Sequence, residues 1–133
     1  MTKSLGIDRS LTRRLIHDPA LPILETVSVR GDTNAVITLI GEIDISSADQ
    51  VRMAVGECLR EPQPLSLQID VSALTFCDCA GIRVLHWARN RALAEQIPIF
   101  RISGADARLR RVFALARADE LLDACEATTR VID

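Results

Sequence analysis

A strand-like run, Leu65-Ser66-Leu67-Gln68-Ile69-Asp70-Val71, leads within a few residues to a helix-like run that opens at Ile82. The link between them contains Thr75-Phe76-Cys77-Asp78-Cys79-Ala80-Gly81. A further β-rich run follows at Ile97–Ile102. Strand, helix and strand in that order imply a right-handed crossover and parallel strands. The junction matters for function as well. Where a parallel strand ends and its helix begins, unpaired helical N–H groups face outward, and an anion or a partner loop can dock there.

The rest of the chain repeats this alternation. Leu11, Leu15 and Ile16 give one apolar side to a short helical segment, and Pro19 and Pro22 then interrupt the pattern. Residues 1–22 therefore read as an N-terminal extension, mobile or loosely docked, ahead of a domain over residues 23–133. Glu25 to Arg30 alternates weakly, Gly31-Asp32-Thr33-Asn34 is a turn cluster, and Ala35 to Ile40 is nearly continuously apolar. Together they predict a hairpin whose second strand is central. Ser47 and Gln50 fit a capping box. Val51, Ala54, Val55, Cys58 and Leu59 form one stripe of the helix that follows, which Pro62 and Pro64 end. A second helix is expected from about Cys79 to Glu95, with Ile82, Leu85, Ala88 and Ala92 inward and Arg83, Asn90 and Arg91 toward water. Ser103-Gly104 ends the fourth strand, and Leu109, Val112, Phe113 and Ala116 mark a third helix. The tail suggests a short strand at Leu121–Leu122 and a weak terminal helix. The predicted order is β-β-α-β-α-β-α, a single α/β domain with a mainly parallel sheet of four to five strands. Polar Ser66, Gln68 and Asp70 alternate with apolar neighbours, so one sheet face should be less buried than in a doubly wound fold.

Composition narrows the function classes. The 133 residues carry a net charge of −2, with only 3% aromatics and no Tyr. A pI near 5.7 argues against nucleic-acid binding. No apolar run approaches the roughly 18 residues of a membrane span, and the N-terminus, with Lys3, Arg13 and Arg14, lacks the apolar core of a secretory signal. A cytoplasmic location is expected. The four cysteines do not form a disulfide framework in that setting. Cys58 and Cys125 read as small core residues, Cys77 as pointing inward from its strand end, and Cys77–Cys79 as too close for an unstrained bridge. No cysteine or histidine pattern has zinc spacing, so neither metal nor other cofactor is expected. No phosphate loop or catalytic triad stands out, and the chain reads as non-enzymatic. His86 is expected to be half-buried, Trp87 and Val84 to lie at the core edge, and Arg108, Arg110, Arg111 and Arg117 to form a solvated face.

Four segments together resemble the STAS domain of the anti-sigma-factor antagonist family, also found in sulfate transporters. Leu39-Ile40-Gly41-Glu42-Ile43-Asp44 is similar to the family's L-x-G-x-L/I-D before its first helix. Leu67-Gln68-Ile69-Asp70-Val71-Ser72 matches its central strand. Phe76-Cys77-Asp78-Cys79-Ala80-Gly81-Ile82 matches f-x-D-S-S/T-G-L, and the third helix ends in Leu115-Ala116. Cys77 ahead of the motif Asp is similar to actinobacterial versions. The resemblance covers about residues 25–125. It implies a small mixed sheet flanked by helices and a bacterial regulator of transcription. Such a protein binds an anti-sigma factor that is also a GHKL-type serine kinase, and so releases a sigma factor. The kinase phosphorylates the Ser after the motif Asp and thereby breaks the complex.

This chain departs from that pattern at the switch itself. Cys79 stands at the phosphoacceptor position and Ala80 follows it, so neither offers a hydroxyl for a charge of about −1.5 to −2. The resemblance assigns the partner surface to Asp44, Ser46, Ser47, Asp78, Cys79, Ala80, Gly81 and Ile82. It also admits weak nucleotide binding, and a monomer or weak dimer is expected. Asp78 reads either as a partner contact or as a helix N-cap, roles that are compatible, and Asp44 as a partner contact or a turn Asp. Gly81 suggests close packing. Cys79 reads as a Ser-sized filler or, alternatively, as a thiol-based redox sensor on the same scaffold.

Overall fold

The computed structural model describes residues 23–122. The expected extension over residues 1–22, Cys125 and the terminal helix lie outside the described residues. Strands β1 (Leu24–Arg30), β2 (Asn34–Ile43), β3 (Ser66–Cys77) and β4 (Ile99–Ser103) alternate with helices α1 (Ala48–Cys58), α2 (Cys79–Ala94) and α3 (Ala107–Leu115). The four strands lie in the sheet in sequence order. β1 pairs antiparallel with β2, as a hairpin through the Gly31–Thr33 turn must, and the β2–β3 and β3–β4 pairs are parallel. Both crossovers step the same way across the sheet, so right-handed connections put α1 and α2 on one face. The two helices touch each other, and α1 also packs on β1 and β2.

Burial follows the strand period. Ala35, Ile37, Leu39 and Ile43 of β2, Leu67, Ile69 and Val71 of β3, and Phe100 and Ile102 of β4 face the helices and are buried. Their alternates, including Ser66, Gln68 and Asp70, are only half-buried, the less buried face that the polar alternation predicts. Val51, Val55, Ile82, Leu85, Ala88, Leu109 and Phe113 close the same core from the helices. His86 and Trp87 are half-buried and Val84 fully buried, while the four arginines Arg108, Arg110, Arg111 and Arg117 are exposed.

Several sequence expectations need correction. β3 does not stop at Val71 but runs to Cys77. Its register against β2 shifts twice, between Thr38 and Ile40 and between Gly41 and Glu42. These bulges replace the two-residue period by three, so Val71, Leu74 and Cys77 face the core. The fourth strand begins at Ile99, because Ile97 instead closes the end of α2. Leu121 and Leu122 are helical and buried, not a strand. Ala116 lies beyond α3 and is exposed, and Arg91 is half-buried through its side-chain partners. Ser47 precedes α1 as expected, but its side chain makes no cap hydrogen bond, and Gln50 donates to the Leu24 carbonyl at 2.9 Å. The capping box is therefore absent.

Candidate functional site

β2 and β3 end side by side. Glu42 pairs with Phe76 and Ile43 with Cys77, and the amide of Asp78 donates to the Ile43 carbonyl at 3.4 Å. The Asp44 and Asp78 loops are thus held together at the carboxyl end of the parallel strands, where open α/β sheets present ligand-binding loops.

Asp44 closes the turn that leads into α1. Its Oδ1 accepts from the amides of Ser46 at 2.9 Å and Ser47 at 3.2 Å, and from the Ser46 hydroxyl at 2.6 Å. Its carbonyl accepts from the amides of Ser47 and Ala48, so a turn starting at Asp44 feeds directly into α1. The Ser46 hydroxyl, aided by the Ser46 and Ser47 amides against some burial, holds the Asp44 carboxyl below its ordinary value of 3.8. It is a charged acceptor at neutral pH. The Ser47 hydroxyl accepts from the Asp44 amide at 3.0 Å and donates to the Glu42 carbonyl at 2.9 Å. Ser47 consequently lies inside, with 1% of its surface exposed.

Asp78 caps α2. Its carboxylate accepts from the Gly81 amide at 3.1 Å, an N-cap bond to the third helical residue. Gly81 is fixed by packing: an added Cβ would lie 2.6 Å from Cys77 Sγ and 3.0 Å from Ile43 Cβ. The start of α2 thus presses onto the ends of both central strands. Cys77 points inward, and burial, with Asp78 and Cys79 adding, pushes its thiol up to about 12. Cys79 is an exposed free thiol one residue into the helix, and Cys58, Cys77 and Cys79 are all free.

Of the expected surface residues, Asp44, Ser46, Asp78, Cys79 and Ala80 reach a common rim, exposed or half-buried. Ser47, Gly81 and Ile82 do not. They are buried and support the rim from beneath, because their side chains or backbone fill the contact between α1, α2 and the strand ends. Two residues that the sequence reading did not single out as site residues lie beside the rim. Ile45 is 84% exposed in the Asp44 loop, and Phe76 is 48% exposed beside Glu42. Other large apolar side chains are exposed singly elsewhere, such as Leu65 and Val29, as on any protein surface. Ile45 and Phe76 differ in flanking two carboxylate-bearing loops on adjoining strands. A spacing of three through Val71, Leu74 and Cys77 was the available signal that Phe76 turns outward.

Among the described residues, no three His, Cys, Asp or Glu side chains converge as a metal set, and no helix is long and apolar enough to cross a membrane. The geometry offers an apolar and anionic rim built on two short loops, with capped helix ends below it.

Comparison with known proteins gives this architecture a family. A family model described as "Mlab, STAS domain" matches residues 27–123. No curated protein sequence matches the chain. Among solved structures, an anti-sigma factor antagonist from Mycobacterium paratuberculosis is similar at 24% identity and a TM-score of 0.60, covering 74% of this chain and 82% of that one. A variant of RsbS from Moorella thermoacetica is similar at 21% identity and a TM-score of 0.59, covering 68% and 76%. The Bacillus cell fate determinant SpoIIAA in its phosphorylated form is similar at 17% identity and a TM-score of 0.55, covering 74% and 87%. At these identities the structures share the fold. With the family model spanning most of the chain, the protein belongs to the STAS domain family.

Proposed function

We propose that this protein is an anti-sigma-factor antagonist: a non-catalytic regulator that binds an anti-sigma factor and so frees a sigma factor. The observation that carries the reading is the rim itself. Ile45, Phe76, Asp44, Ser46, Asp78 and Cys79 converge at the end of the parallel strands on a scaffold shared with such antagonists. The apolar pair supplies area to remove from water, and the fixed carboxylates supply orientation. In this reading the partner is a GHKL-type serine kinase acting on the residue after the motif Asp. Cys79 occupies that position, so the antagonist holds its partner without being released by phosphorylation there.

The test is binding of purified anti-sigma kinases from the same cell by calorimetry. Ile45→Asp places a charge in the apolar part of the rim and is expected to weaken the complex at least about tenfold, the usual size of a central contact. Leu65→Asp, at the opposite end of β3, leaves affinity unchanged. Equal affinity for all three proteins, or no binding to any such kinase, contradicts the reading.

A further inference from the structure

We propose that the docking rim also takes a second copy of this chain: the outward face of α3, with Arg108, Arg111 and Leu115, seats on the Asp44–Asp78 rim of another molecule. The contact rests on the proposed reading of the rim as a docking face, and it makes the protein compete with an anti-sigma factor for its own rim.

The fold divides the charge of the chain. Residues 23–78 hold nine Asp and Glu against three Arg, a formal −6. Residues 79–117 hold eight Arg against Glu95 and Asp106, a formal +6 with His86 neutral. The strands lie in the sheet in sequence order, so this division along the chain is also one across the molecule. β1, β2, β3 and α1 form the acidic part, and α2, β4 and α3 the basic part. The whole chain carries −2, too little for copies to repel each other strongly, so the separated charges set how two molecules meet.

α3 presents an unpartnered face in the basic part. Arg108, Arg111 and Leu115 are spaced three and four residues apart and so share one side, turned away from the buried Leu109 and Phe113. All three are exposed, Leu115 to 80%. Arg110 lies on the flank, where its Nε donates to the Ala105 carbonyl at 3.3 Å. Arg52, Arg60 and Arg91 are each paired with a carboxylate three or four residues away. Among the described residues, Arg108 and Arg111 have no such partner.

The rim is the complement of that face. Glu42, Asp44 and Asp78 outnumber Arg83, exposed one turn into α2, and Ile45 and Phe76 supply apolar surface for Leu115. Each side offers opposite charge around exposed apolar side chains, and every copy carries both sides. The two sides differ, so the contact is heterologous, rim to helix. Each is only a few side chains wide, which places the contact among weak, transient ones, with a dissociation constant on the order of 0.1 mM.

Sedimentation equilibrium of the full chain reads the contact. At about 0.5 mM protein in about 0.1 M salt, wild type is expected to reach about 1.5 times the monomer mass or more. In about 1 M salt it falls back toward monomer, as the screening length drops from about 10 Å to about 3 Å. Arg108→Glu/Arg111→Glu and, separately, Ile45→Arg set like charges against each other, and each is expected to weaken the contact at least about tenfold while keeping the wild-type urea midpoint. Mixed together, the two variants regain association, because the intact rim of one meets the intact α3 of the other. A wild type that stays at monomer mass overturns the inference, and so does a mixture of the folded variants that fails to recover. Association that ignores salt and both variants also overturns it, and would put another face, such as the β1 edge strand, between the copies. Binding of purified anti-sigma kinases is measured separately at micromolar protein, where Arg108→Glu/Arg111→Glu keeps the wild-type affinity. Self-association without kinase binding refutes the proposed function alone. Kinase binding without self-association refutes this contact alone.

Discussion

Gly81 and Asp44 show how single residues set the shape of the rim. The Gly81 position leaves no room for a Cβ, since Cys77 Sγ and Ile43 crowd it from the ends of both central strands. Gly81→Ala is expected to destabilise the domain by about 1–3 kcal/mol through overpacking, measured by urea unfolding. A loss under 0.5 kcal/mol would mean that α2 can lift from the strands at little cost. Asp44 contributes through its charge. Its folded value is depressed, so its stabilising contribution is full above the ordinary value of 3.8 and fades as pH falls through the depressed one. Asp44→Asn is expected to flatten the fall in stability between pH 5 and 2, both limits being approximate choices around that value. An unchanged acid limb in the variant would assign the fall to other carboxylates.

The helices end by one device used twice. Gln96 and Arg117, at φ 61° and 58°, are left-handed residues just beyond α2 and α3. Ile97 donates to the Ala92 carbonyl and Gln96 to that of Leu93, while Ala118 donates to Phe113 and Arg117 to Ala114. Both are Schellman closures, with buried Ile97 and Ala118 sealing them. A side chain in that conformation costs roughly 1–2 kcal/mol that glycine avoids, partly offset by the entropy of the unfolded chain. Gln96→Gly is accordingly expected to stabilise by about 0.5–1 kcal/mol, read as a rise in the urea midpoint. A fall would show that the Gln96 side chain contributes contacts that outweigh the backbone strain. Neither closure was legible in the sequence, because no glycine marks it. The capping box misled for another reason: Ser47 has the right spacing to Gln50, but its hydroxyl is taken by the Asp44 amide and the Glu42 carbonyl, and the Gln50 side chain by the Leu24 carbonyl. At α3 the cap is made by a side chain that the sequence reading did not single out, Asp106, which accepts from the Leu109 amide at 2.8 Å.

At the level of the whole molecule, periodicity carried most of the information. The apolar stripes of α1 and α2 and the alternation in β2 specify which sides face inward, and the element order then requires a mainly parallel sheet. The period fails where β3 bulges, and that is where the rim is built, so the outward turn of Phe76 went unassigned and Ser47 read as surface. Gly104 belongs to the same region. At φ 86° it passes so close to β3 that an added Cβ would lie 2.8 Å from Ser72 Cβ, a constraint that only the folded chain reveals. In the proposed function, this fold keeps a partner-docking rim while Cys79 removes the phosphate switch from it. The most direct measurement of that claim is the release of a bound anti-sigma kinase on adding ATP, for wild type and Cys79→Ser. The expected result is a wild-type complex that persists with no phosphoryl group at Cys79, and a Cys79→Ser complex that gains one phosphoryl group at that serine and dissociates. Release of the wild-type protein by ATP at the rate of the variant would contradict the account.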